Sequence, residues 1–107
     1  MIKVIYDKKR YKLSIEGHAH CGEFGHDLIC AAVSALTYTL AANIENFRTI
    51  GAVDKTDIQL QSGSARIHSK PNNKHKASVK LAYDSICVGF EILAHNYPEN
   101  ISYELVE

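Results

Sequence analysis

The spacing of apolar residues switches period several times along this chain, and that switching does most to limit the folds open to it. Residues 2–6, IKVIY, place Ile2, Val4 and Tyr6 on alternate positions, and residues 11–17, YKLSIEG, do the same with Tyr11, Leu13 and Ile15. A period of two marks a half-buried strand, and the polar DKKR between the runs reads as a turn, so the pair predicts a hairpin. From Leu28 to about Phe47 the apolar positions become 29, 33, 36, 40, 44 and 47. Steps of three and four keep those side chains on one face of a helix. Asp27 stands where an N-cap is expected, and Gly51 where the helix should stop.

The pattern then repeats. TDIQLQ (56–61) and SARIHS (64–69) alternate on either side of Ser62-Gly63 and predict a second hairpin. Val79, Tyr83, Ile86, Phe90, Leu93 and Tyr97 return to steps of four and three, so a second helix is expected over about 75–96, ended by NYPEN. ISYELVE (101–107) reads as a last strand. The order is ββαββαβ with no linker, which predicts one domain over residues 1–107. The expected fold is α/β, a two-layer sandwich with a mixed sheet and two helices packed on one face.

Composition narrows the partners. Lys plus Arg equals Asp plus Glu at 12 each. A neutral chain exerts no general pull on nucleic acid or on an anionic membrane, so direct contact with neither is expected. No run is counted as approaching the ~18–20 apolar residues that span a bilayer. The first dozen residues hold no apolar signal core, and the expected location is the cytoplasm. Three cysteines at irregular spacing argue against a disulfide framework.

One stretch carries chemistry. Residues 17–30, GHAHCGEFGHDLIC, hold His18, His20, Cys21, His26 and Cys30. Gly22 and Gly25 flank Glu23 and Phe24, which suggests a flexible loop. If Asp27 caps the helix, Cys30 lies in its first turn, where unpaired amides and the helix dipole stabilise a thiolate. The plain alternative is that Cys30 is a half-buried, inert small residue, since cysteines are often buried. His18 follows the second strand and could meet Cys30 as a proton acceptor, or could be a structural histidine satisfied by backbone. A metal site on His18, His20 and Cys21 lacks the close ligand pairs that zinc sites use, so no metal or other cofactor is expected. Cys87 reads as a buried helix residue, and His68, His75 and His95 as surface or capping residues. Asp27 is either a cap or a group that orients the loop or His18. Ser34, one turn past Cys30, points to a hydrogen bond across the site or back to its own helix.

Gly17-His18-Ala19, then Gly22, then Gly25-His26-Asp27-Leu28-Ile29-Cys30-Ala31-Ala32-Val33-Ser34-Ala35 resembles the ribosomal-processing cysteine protease family (Prp, YsxB-like). The resemblance spans essentially the whole chain. It implies a homodimeric bacterial endopeptidase that removes the N-terminal extension of protein twenty-seven of the large ribosomal subunit, cutting after a hydrophobic, Phe-containing motif. Carried over, Cys30 is the nucleophile, His18 the general base, and the Gly22–Gly25 loop a flap over the substrate peptide. Gly17, Asp27 and Ser34 are the supporting positions. The alternative from another class is a ribosome-associated module that binds without catalysis.

Overall fold

The computed structural model describes residues 1–18 and 23–107, with side chains described over 1–18 and 28–107. His20, Cys21 and Gly22 therefore lie outside the described residues. The elements are β1 (Ile2–Asp7), β2 (Lys12–Glu16), α1 (Glu23–Thr49), β3 (Val53–Gln61), β4 (Ser64–Pro71), α2 (Lys76–Asn96) and β5 (Ile101–Val106). The predicted order stands, α2 lies where the periodicity put it, and α1 covers the expected stretch but starts five residues before Leu28.

The five strands form one sheet in the order β3-β4-β2-β1-β5. The β1–β2 and β3–β4 hairpins are joined by antiparallel pairing of β2 with β4, and β5 runs parallel to β1. The sheet is thus mixed. Alternation sends Ile2, Val4, Tyr6, Leu13, Ile15 and Ile67 into the core, and all six are buried. α1 contributes Ile29, Val33, Leu40 and Ile44, and α2 contributes Val79, Tyr83, Cys87 and Phe90. Burying side chains of this size stabilises by about 1.5–3 kcal/mol each before the entropy of ordering is set against it. In α2 the deepest row runs through Cys87, while Ile86 packs only partly against the core. Gly89 lets the helices close up, because a Cβ there would stand 2.8 Å from a methyl of Leu36.

Polar groups inside this core are paired. Tyr6 donates to Asp84 Oδ1 at 2.7 Å and stacks on Tyr83 with ring centroids 5.8 Å apart. Ser69 Oγ and Tyr83 Oη share a buried hydrogen bond of 2.8 Å. Thr37 returns its hydroxyl to the Val33 carbonyl. These bonds offset the desolvation that an unpaired buried hydroxyl would suffer.

Two expectations are corrected here. α1 begins at Glu23, so Asp27 is its fifth residue and not its N-cap, and Gly25 is helical and not part of a loop. The continuous helix gains a backbone hydrogen bond per added residue, which outweighs the ~1 kcal/mol cost of one glycine. The segment Leu28–Thr49 is also long and apolar enough to cross a membrane by length and composition alone, contrary to the count of apolar runs. Alanines, serines and threonines between its large residues keep it apolar overall without an unbroken run. In the fold its large side chains cover the sheet, as those of a core helix do.

Candidate active site

β2 ends at Glu16, and the chain turns at Gly17 with φ +104°. A Cβ at Gly17 would collide with the Met1 carbonyl oxygen, so the position admits a close backbone approach that only glycine allows. Its N–H donates to the Gly63 carbonyl at 2.9 Å. This bond ties the exit of β2 to the β3–β4 turn and sets the direction in which the chain delivers His18, which is exposed.

Cys30 comes from the other layer. It is the eighth residue of α1 and half-buried. The expected first-turn position is therefore wrong. The field of a helix end falls off within its first turn, and the amides further along are already bonded to carbonyls four residues back. Neither thiolate stabilisation nor an oxyanion hole can come from the start of α1.

His18 and Cys30 line one cleft of about 330 Å³ together with Ser34, Tyr38, Leu60 and Ser62. Ser34 and Tyr38 follow Cys30 at steps of four, so α1 forms one wall. The β3–β4 turn forms the other. Among the described residues, no Lys, Arg, Asp or Glu lines the cleft. Its polar groups are hydroxyls, an amide and the imidazole, and its apolar groups include Ile2, Ile15 and Val33. Such a lining accepts an uncharged, apolar peptide segment and offers donors to its backbone.

Sequence reasoning missed Gly63. Its φ is +76°, and a Cβ built on it would stand 2.6 Å from His18 Nε2. Any side chain at this turn must push the imidazole aside. The dipeptide Ser62-Gly63 signalled a turn, but its place beside His18 comes from the pairing of Glu16 with Ser64. Gly17 and Ser34 line the same cleft as His18 and Cys30, Gly22 lies outside the described residues, and Gly25 and Asp27 are placed in α1 by their backbone. Cys87 is buried in the core, as expected. Burial pushes its thiol up to about 12, so it is inert at neutral pH. His68 and His95 are exposed, and His75 precedes α2 with its ring bonded to Asn72. Among the described residues no three His, Cys, Asp or Glu side chains gather as a metal site.

The larger cleft, about 790 Å³, lies at the opposite end of the strands and holds neither His18 nor Cys30. Volume alone does not locate the nucleophile.

The model of the family described as cysteine protease Prp matches residues 1–102. This chain belongs to that family. It is accordingly a cysteine protease, and the binding-only reading falls. Ribosomal processing cysteine protease Prp of Mycoplasma pneumoniae is 29% identical over 94 residues, covering 88% of this chain and 86% of that protein. The protein of the same name from Staphylococcus aureus is 25% identical over 87 residues, covering 81% and 78%. Among solved structures, the essential ribosomal processing protease Prp from S. aureus, in complex with a covalently linked product peptide, superposes with a TM-score of 0.75. That match covers 98% of this chain and 99% of the other at 23% identity, and it supports the mixed sheet with two helices.

Proposed function

We propose that this chain is a bacterial endopeptidase that removes the N-terminal extension of protein twenty-seven of the large ribosomal subunit, with Cys30 as nucleophile and His18 as general base. The observation that carries the reading is the cleft shared by His18 and Cys30, two side chains from different layers of the fold. The names of the relatives, ribosomal processing proteases, support the substrate class.

His18 takes the proton from Cys30 Sγ, and the thiolate attacks the carbonyl carbon that follows the substrate's aromatic residue. The carbonyl π electrons move to oxygen, where donors from outside α1 receive the charge. Collapse of this intermediate expels the amine, which takes the proton from His18. The thioester left on Cys30 is then hydrolysed by water, with His18 again as base. The uncharged lining suits a hydrophobic, Phe-containing motif, and Gly63 keeps room for the imidazole throughout. The protein works in the cytoplasm, where ribosomal subunits are assembled, and as a homodimer. The exposed row Leu81, Val88 and Ile92 on α2 supports a second copy docking there. No metal or other cofactor takes part in this scheme.

The test is cleavage of a peptide carrying the apolar-aromatic junction, with wild type, Cys30→Ser and His18→Ala compared. Wild type cuts at the junction and both folded variants lose activity. Full activity in Cys30→Ser would remove this cysteine as the nucleophile.

A further inference from the structure

The 790 Å³ cleft at the far end of the sheet has the opposite character to the catalytic one. Lys9, Arg10, Lys55, Lys70 and Lys76 line it, against Asp54 and Asp57. Asp57 is already held by Arg66 at 2.8 Å, and Arg10 leans toward Asp7 at 3.7 Å. Lys9, Lys55, Lys70 and Lys76 are exposed and form no ion pair among the described residues. Four unneutralised lysines converging on one groove carry a repulsion that a bound anion would relieve.

The groove also continues. A neighbouring cleft lined by Lys8, Lys9, Tyr11, Lys80 and Glu107 shares Lys9 and Tyr11 with it, and of its lysines Lys8 leans toward Asp84 at 3.9 Å. Tyr11 sits between the two with φ +53°, a left-handed conformation that costs a bulky residue energy and persists where the surroundings hold it. Here the Ser69 N–H donates to the Tyr11 carbonyl, and the Tyr11 ring meets Tyr83 edge-on at 6.3 Å. An aromatic ring is thus fixed at the middle of a basic track.

We infer that this track binds the phosphate backbone of RNA while the opposite end of the molecule cuts the peptide. The choice of RNA rests on the ribosomal reading above. A substrate that folds onto ribosomal RNA comes with a polyanion beside it. Lysine supplies point charges that follow a chain of phosphates, whereas carboxylate partners are matched best by the fork of arginine, and the one arginine lining the groove is already paired. A fixed aromatic ring within a positive groove is the arrangement on which single-stranded bases stack. The two clefts sit at opposite ends of β2, β4 and β3, so both can be occupied at once.

The experiment is fluorescence anisotropy with a labelled oligouridylate of about 20 nucleotides, on wild type and on the variant Lys9→Ala/Lys70→Ala/Lys76→Ala. Peptide cleavage is followed in parallel. With four phosphates neutralised, wild-type affinity falls about fifty-fold between 50 and 200 mM salt. The variant binds at least tenfold more weakly at 50 mM, shows a shallower salt dependence and cuts the peptide as wild type does. RNA affinity unchanged in the variant, or no saturable binding at 50 mM, overturns the proposal. So does poly-glutamate that displaces the RNA charge for charge, because the partner is then an acidic protein. RNA binding lost in the variant alongside a peptide that no form cuts leaves the groove standing and overturns the catalytic reading instead.

Discussion

At one end of the β2–β4–β3 strands, a cleft with no Lys, Arg, Asp or Glu among its described lining residues gathers His18 and Cys30. At the other end, a cleft more than twice as large gathers five cations and two carboxylates. Both ends use the same strands, and the zero net charge of the chain describes neither. The difference teaches that a charge total limits long-range attraction but says nothing of where charges lie. A polyanion is attracted where lysines lack partners, whatever the total charge of the chain.

The contrast can be broken most sharply at Cys30. Cys30→Ser should lower peptide cleavage at least about a thousandfold in a steady-state assay, with RNA binding unchanged. His18→Ala should cost about 10²–10⁴ in kcat, the range expected for a lost general base. Gly63→Ala tests the wall that faces His18. The built Cβ lies 2.6 Å from Nε2, so kcat should fall by roughly one to two orders of magnitude with KM little changed, through a displaced base. The same substitution at Gly51, also at positive φ but with open space around it, should leave kcat intact and cost only the strain of the turn. Equal losses at both glycines would refute a positioning role for Gly63.

Between the two ends lies the core, and substitutions there should touch stability alone. Ser69→Ala leaves the Tyr83 hydroxyl buried without its partner and should cost about 1–3 kcal/mol in denaturant unfolding, with kcat preserved. Cys87 adds a pH signature. Burial raises its thiol from 9.0 to about 12, so the folded state holds the proton more tightly than the unfolded one. Its contribution is complete below about pH 9 and disappears as pH rises toward 12. Tyr6, Tyr83 and Tyr103 are raised by burial as well and act in the same direction. Melting temperature should hold from pH 7 to 9 and then fall, more shallowly in Cys87→Ala.

Most of the architecture could be read from periodicity, because alternation and three-four spacing are local and survive in any context. The pairing of β2 with β4 could not. Two hairpins with apolar faces can be joined in several ways, and the choice is made by packing across the whole sheet. The start of α1 was misplaced for a related reason. Gly25 and Asp27 resemble a loop and a cap when taken alone, yet the helix extends through both. That misplacement put Cys30 in a first turn it does not occupy and so credited it with a helix-end field that it does not feel. His18 and Cys30 could be singled out together because the motif that holds them is contiguous. Gly63 escaped because only the register of distant strands carries it to His18, and the basic groove escaped because its lysines come from three separate parts of the chain.

The parallel pairing of β1 with β5 sets Ile2 against Ile101, nearly the full length of the sequence apart. Contacts of such long range are slow to form, because the chain entropy lost in closing the loop precedes any reward. Until β5 docks, β1 presents one unpaired edge, and the sheet that aligns His18 with Cys30 lacks its last strand. The cleft that holds His18 and Cys30 therefore takes its finished shape late in folding, after the local hairpins and helices have formed.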